Sequence, residues 1–220
     1  EEHSFICCLS SLNLAKYEEW KDTDTVELST WFLDGVMQEF IDKSSGRDSL
    51  KRTYAHAFKG RALGLGVMGW HTFLQQKKLP FNSIASTAWT HTIFSDIRSK
   101  AEKASMDLAK EYGEPLWCKG TGMRNTHLLA IAPTVSNSVI CGGISAGIEP
   151  LPANIYTFNG AKGTFIRKNK VLQALLEEKG EDKDKWWDQM LQDGGSVQNL
   201  PDSILSPDEK ELFLTFPEVN

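Results

Sequence analysis

The sequence predicts an α/β fold, and three observations carry that reading. Short apolar runs of strand length alternate with longer stretches whose apolar residues recur at helical spacing. Several short runs, at residues 4–9, 62–68 and 128–132, are apolar without polar alternation, which suits strands covered on both faces, as in α/β barrels. Turn-forming clusters separate the segments: Ser44-Ser45-Gly46, Gly113-Glu114-Pro115 and the Gly-rich 119–122.

Residues 4–9 (S-F-I-C-C-L) read as the first strand. Side chains alternate along a strand, so Cys7 and Cys8 point to opposite faces and one of them can look into a barrel. Residues 25–43 read as a helix with caps at residues 22–25, its apolar stripe being Leu28, Phe32, Val36 and Phe40. Residues 62–68 give a second strand and 69–76 a short helix. The clearest helix runs over residues 86–112, where Ile93, Ile97, Ala101, Ala104, Leu108 and Tyr112 form one stripe between charged residues. Residues 128–132 form a short buried strand. Residues 155–158 and 164–166 flank Asn159-Gly160, a hairpin-turn signal. From residue 170 onward the chain is charged and helical, with Trp186 and Trp187 as apolar anchors. There is no internal repeat and no low-complexity linker.

With 220 residues, 40% hydrophobic and 24% charged, the chain has the composition of a globular protein with a sizeable core. The net charge of -5 and the lack of a basic stripe argue against direct nucleic-acid binding. No apolar run has the length of a membrane span. The chain starts on Glu1-Glu2-His3 without Met and stops on Phe216-Pro217-Glu218-Val219-Asn220, and so reads as part of a longer one. Its four cysteines (Cys7, Cys8, Cys118, Cys141) include no C-x-x-C pair and none has a histidine at zinc spacing. Such low density argues against a disulfide scaffold and for a reducing, cytoplasmic setting, where a cysteine of consequence acts as a redox or radical group. The five histidines form no metal-binding pattern.

Two motifs remain. Gly64-Leu65-Gly66-Val67-Met68-Gly69 fits G-x-G-x-x-G at a strand-to-helix junction, but no further βαβ unit follows, and the glycines read better as allowing a strand and helix to pack closely. The second is the loop Pro133-Thr134-Val135-Ser136-Asn137-Ser138, which follows Arg124-Asn125-Thr126-His127 and the apolar run and precedes Gly147-Ile148-Glu149-Pro150. Small hydroxyl and amide residues there can turn several donors toward one anion, or can form a plain Ser/Thr turn. Glu149 is a candidate carboxylate that reads more simply as structural.

Taken in order, these pieces resemble the large (catalytic) subunit of class I ribonucleotide reductase. The motifs are Ile6-Cys7-Cys8-Leu9-Ser10-Ser11-Leu12-Asn13-Leu14, the stretch 61–69, the R-N-T and P-T-x-S pair within 124–138, and Ile148-Glu149-Pro150 with Asn154-Ile155-Tyr156 downstream. The resemblance implies a ten-stranded α/β barrel, with residues 1–220 forming its C-terminal half, incomplete on both sides. It implies radical-based reduction of ribonucleoside diphosphates to deoxyribonucleoside diphosphates. It makes Cys7 one of two substrate-reducing thiols and Pro133, Thr134, Val135, Ser136, Asn137 and Ser138 the diphosphate loop, Asn137 standing where Thr or Ser is usual. No cofactor is bound directly by this chain on that reading. The radical comes from a separate metal-containing small subunit, and a thioredoxin- or glutaredoxin-type protein supplies reductant. The partners are the N-terminal half of the large subunit, the radical subunit and the substrate. The finger-loop cysteine, the partner of Cys7 and the C-terminal cysteine pair are missing, so this chain alone is expected to be inactive. The alternatives are the cobalamin-dependent branch of the same superfamily, a nicotinamide-binding oxidoreductase built on Gly64–Gly69, and a non-catalytic remnant.

Overall fold

The computed structural model describes residues 3–6, 8–160 and 163–219. They fall into two compact units. The first is drawn from Glu1–Leu12, Tyr17–Val67 and Thr90–Ala132, and the second from Asn13–Lys16, Met68–Trp89 and Pro133–Asn220.

In the first unit, strand β1 (Leu9–Asn13) lies beside β2 (Gly64–Met68), the last residue of each strand falling in the second unit. All of β2 is buried, as an apolar run without alternation requires. The strand read at residues 4–9 is displaced: residues 4–6 and 8 are not in a strand, and the ladder starts only where Gly64 N–H donates to the Cys8 carbonyl at 2.9 Å. Cys7 lies outside the described residues. The segment 128–132 is a second correction. Leu129 makes a single parallel bridge to Leu65, with Leu65 N–H donating to Leu128 O at 2.8 Å. Ala130 and Ile131 are exposed, because no strand among the described residues pairs with the far edge.

The helices of this unit are the short α1 (Tyr17–Trp20), then α2 (Thr25–Ser44) and α3 (Lys51–Gly60). Most of α5 (Ile84–Tyr112) belongs here too. The stripe read along α5 is the buried one from Ile93 to Leu108, whereas Tyr112 at its end is exposed. Helix α2 buries a different face from the one expected: Val26, Thr30, Leu33, Asp34, Met37 and Ile41 point inward, and Leu28, Phe32 and Val36 are exposed. Both faces are apolar, and spacing alone does not say which one this chain covers.

In the second unit, α4 (Trp70–Gln76) is followed by α6 (Val135–Ile140) and by the antiparallel hairpin β3 (Ile155–Gly160) and β4 (Gly163–Lys168). Asn159 pairs with Thr164 and Gly160 with Gly163, so the hairpin is present with both strands longer than expected, but Asn159-Gly160 belongs to β3 and the turn itself lies outside the described residues. Helices α7 (Lys170–Glu178), α8 (Asp184–Gln192) and α9 (Pro207–Leu212) complete the unit. Asn169 caps α7 by accepting from the Val171 and Leu172 N–H groups, and Ser206 with Glu209 forms a capping box on α9. Ile155, Leu172, Leu176, Trp187, Met190 and Phe213 form the core, so Trp187 is the anchor expected of it and Trp186 packs at the edge.

A buried polar network ties these elements together. Asn169 Nδ2 donates to Asn154 Oδ1 at 2.8 Å and to Gln75 Oε1 at 3.1 Å, while Asn154 Nδ2 donates to the Phe213 carbonyl at 2.7 Å. His71 Nδ1 accepts from Leu151 N–H at 3.0 Å, a bond that only an unprotonated nitrogen can make. Burial drives its pKa down to about 4 against a smaller opposing effect of the Leu212 backbone. The folded state therefore takes up this proton at lower pH than the unfolded chain. Stability is fully present above about pH 6.5 and falls as pH drops toward about 4, by on the order of 3 kcal/mol when the full shift is expressed. Urea unfolding across that window should show the decline, and His71→Gln should flatten it while lowering stability at neutral pH.

Candidate functional site

The segment 133–138 is an exposed helix start, not a strand-flanking turn. Thr134 takes a left-handed conformation at φ 49°, which is uncommon for a residue with a branched Cβ, and α6 begins immediately after it. Thr134 is held from both sides. Its Oγ1 accepts from Gly147 N–H at 2.8 Å, and its carbonyl accepts from Ser138 N–H at 2.9 Å. Gly147 is itself fixed to the start of α4, since its carbonyl accepts from Trp70 N–H at 3.3 Å. Two residues earlier, Ser145 and Thr72 exchange backbone-to-hydroxyl bonds of 2.9 and 3.2 Å, and the Ser145 carbonyl accepts from Gly69 N–H at 2.8 Å. The left-handed Gly69 (φ 83°) makes that turn possible. The G-I-E-P stretch thus props the loop through its glycine, while Glu149 is exposed.

Within the loop the donors divide. Pro133, Val135, Ser136 and Asn137 are exposed. The first N–H groups of α6 have no acceptor inside the helix and point along its axis, where the helix dipole favours an anion. Ser138 is buried and its hydroxyl donates inward to the Val135 carbonyl at 3.0 Å. Two cavities of the same unit have other walls, one of about 270 Å³ with Val139, Gly143, Arg167 and Lys170, the other of about 420 Å³ with Asn13, Cys141 and Lys170. Residues 133–138 line neither, so the loop presents an open face.

The G-x-G-x-x-G glycines serve packing. A Cβ on Gly64 would lie 2.3 Å from the Leu9 side chain, and one on Gly66 would lie 2.1 Å from the Ala130 carbonyl oxygen. The close neighbours are a strand and the bridged segment, where a helix was expected.

Of the described cysteines, Cys8 is buried with its thiol donating to the Leu33 carbonyl at 3.5 Å. Cys118 is buried too, and burial, with Glu114 nearby, pushes its thiol pKa up. Cys141 is exposed. Among the described residues no group of three His, Cys, Asp or Glu is placed to hold a metal ion, and no helix is long and apolar enough to cross a membrane.

Asp34 is the residue that sequence reasoning passed over. Its buried carboxylate accepts from Arg61 Nε and Nη2 at 2.9 and 2.8 Å, from Arg124 Nε at 3.0 Å and from Asn125 Nδ2 at 2.9 Å. Burial raises its pKa, but the Arg61, Arg124 and Asn125 hydrogen bonds outweigh burial and hold the carboxyl below its ordinary value. Ser105 closes the group by donating to Asn125 Oδ1 and accepting from the Arg124 and Asn125 N–H groups. Arg61 and the Arg124-Asn125 pair, which stand in two of the motifs, are thus parts of one buried framework in the first unit. An acidic residue on the inward, apolar face of α2 was the signal available.

Helices alternating with short strands, with Leu65 bridged in parallel to Leu129 in the first unit, define the class as an α/β fold. The family model for the ribonucleotide reductase barrel domain matches residues 1–120 and 116–220, and the chain belongs to that family. It is 38% identical over 218 residues to the ribonucleoside-diphosphate reductase large subunit of Invertebrate iridescent virus 6, covering 98% of this chain and 22% of the relative. It is 39% identical over 207 residues to the putative large subunit of Frog virus 3, covering 92% and 36%. Among solved structures it resembles the class Id ribonucleotide reductase alpha subunit of Actinobacillus ureae, with a TM-score of 0.91 and 45% identity over 99% of this chain and 40% of that one. The chain thus spans well under half the length of these relatives.

Proposed function

We propose that this chain is the C-terminal part of the catalytic barrel of a ribonucleoside-diphosphate reductase large subunit, and that residues 133–138 hold the substrate's diphosphate. The observation that carries the reading is the exposed start of α6, with Thr134 locked in a left-handed turn and Ser136 and Asn137 facing solvent. Backbone N–H groups there, with the Thr134, Ser136 and Asn137 side chains, can donate to phosphate oxygens without a lysine. Ser138 braces the turn from within. The loop is open, so the walls of a closed nucleotide site come from the remainder of the large subunit.

Cys7 would supply one of two thiols that reduce the ribose. The C2′–OH bond is replaced by C2′–H, water leaves, and the two thiols become a disulfide that an external dithiol protein reduces again. A protein radical, generated in a separate metal-containing subunit, is what makes the ribose reactive. A cytoplasmic, reducing setting fits thiols that must be restored at each turnover.

Asn137→Asp tests the loop. A carboxylate near a helix start favours the helix, so folding is unharmed, but it repels phosphate. In this chain reconstituted with the N-terminal part of a large subunit, the radical subunit and a dithiol, the KM for CDP is expected to rise at least about tenfold. An unchanged KM would remove the loop from the substrate site.

A further inference from the structure

Residues 3–6 run toward Cys7 outside any strand, and ring contacts hold them to α3. The His3 imidazole meets the Trp117 indole edge-to-face, with centroids 5.3 Å apart and planes at 84°. His56, on α3, meets the same indole at 5.3 Å and 76°, and Phe5 packs on His56 at 4.6 Å. Trp117 sits in the 3-10 turn Leu116–Cys118. It lies against the end of α3 because Gly60 has no side chain: a Cβ there would be 2.6 Å from the indole. The backbone adds Ser4 N–H donating to the Arg52 carbonyl at 3.3 Å, a long bond. His127, from the segment bridged to β2, acts on His56 through space. The Nδ1 atoms of His3 and His56 are both buried and have no hydrogen-bond partner among the described residues. These histidines are not placed to hold a metal ion. What they share is the capacity to become charged together.

We propose that His3 and His56, gripping Trp117 with His127 beside them, form a pH-sensitive latch that holds residues 3–6 against α3 at neutral pH and releases them on acidification. A neutral imidazole packs on indole as an aromatic ring. Once it is protonated both nitrogens are donors, and the Nδ1 proton of either ring has no acceptor. The surroundings do not offset the charge. On α3, Arg52 stands four residues before His56 and Lys59 three after, both cations on the same side of the helix. Beyond Trp117 the Cys118 thiol is kept protonated by burial and by Glu114, whose carboxylate accepts from the Gly120 and Gly122 N–H groups. Arg124 is paired with Asp34. Glu1 and Glu2 lie outside the described residues. Burial first, then His3 and His127, hold the His56 imidazole below its ordinary pKa of 6.5, so the released segment takes up the proton more readily than the attached one. Attachment is complete above about pH 6.5 and is lost as pH falls through the lowered value. If Cys7 reduces the ribose, the latch makes its placement pH-sensitive apart from the ionisation of the thiol. The latch is tested without turnover or nucleotide, so either reading can fail alone.

Solution NMR of the full 220-residue chain at about pH 7.5 and about pH 5.5 tests this. Attachment is read from the His3–Trp117 and Phe5–His56 ring NOEs, and from protection of the Ser4 amide relative to its intrinsic exchange rate at each pH. In the wild type the ratio of attached to released segment should fall about tenfold, the change that excluding one proton produces a pH unit below an ordinary histidine. His56→Phe keeps a ring between Phe5 and Trp117 but cannot be charged. Its His3–Trp117 NOE and Ser4 protection should change about twofold or less. His3→Phe, read from the Phe5–His56 NOE and Ser4, should likewise blunt the fall, and it carries the test if His56→Phe does not fold. His71 is the same in every chain, so its own titration cancels in the comparison. A wild type with contacts and protection unchanged between the two pH values would overturn the latch. So would a wild-type segment already released at about pH 7.5, or a fall of full size in the Phe variants.

Discussion

Replacing Asp34 by alanine is expected to cost about 3–5 kcal/mol, enough to leave the first unit largely unfolded at neutral pH. The carboxylate neutralises two guanidinium groups that are themselves almost out of contact with water. Arg61 comes from the left-handed residue that ends α3, and Arg124 from the segment after α5, so one side chain on α2 joins three parts of the chain. Removing it strands two buried cations, and the cost of that exceeds whatever the intact ion pairs contribute over an apolar core. Arg124 would keep its bonds to the Tyr112 and Gly113 carbonyls and its place over the Tyr112 ring, but these do not cancel charge. Asp34→Asn should be nearly as harmful, since its amide presents hydrogen to donors. Urea unfolding measures both, and a loss below about 1 kcal/mol would contradict the role given to Asp34.

Gly66→Val should be of similar size, about 3 kcal/mol or more, by a different mechanism. The obstacle is the Ala130 carbonyl oxygen, a backbone atom 2.1 Å from the added Cβ. It cannot swing aside as a side chain would, because Ala130 N–H is bonded to the Leu65 carbonyl at 3.2 Å. The substitution must therefore push apart β2 and the segment that leads into the 133–138 loop. Gly66→Ala should already fail by the same contact. The nicotinamide-binding alternative predicts something else, a folded protein that has lost NAD affinity. Circular dichroism and urea unfolding of Gly66→Val separate the two.

These two residues show where the sequence was legible. The spacing at Gly66 predicts a packing glycine, and it is one. Its neighbour is the Ala130 backbone and not a helix, since spacing reveals that something comes close without revealing what. The long α5 stripe was legible because five consecutive inward positions agree on one period. On α2 the same rule gave a true helix and the wrong inward face, since Leu28, Phe32 and Val36 are as periodic as Val26, Leu33 and Met37. The displacement of β1 has a similar origin: Ser4 to Leu9 is the more apolar run, but the ladder is set by hydrogen bonds to β2 that start only at Cys8. Asp34 stands out only as an acidic residue among apolar ones, and no local pattern names its partners 27 and 90 residues away. The loop at 133–138 was found from composition. Its left-handed Thr134 was not, because that conformation is imposed by Gly147 and the groups that hold Gly147 in place.

The most direct measurement is CDP reduction by this chain assembled with the N-terminal part of a large subunit, a C-terminal tail segment, the radical subunit and a dithiol reductant, compared with the same assembly carrying Cys7→Ser. A serine hydroxyl cannot enter a disulfide, so dCDP formation should appear with the natural chain and vanish with the variant, although both bind CDP equally. Turnover that survives Cys7→Ser would contradict the redox assignment. A fully assembled complex that binds CDP and forms no dCDP with either chain would contradict the claim that this chain belongs to a working reductase.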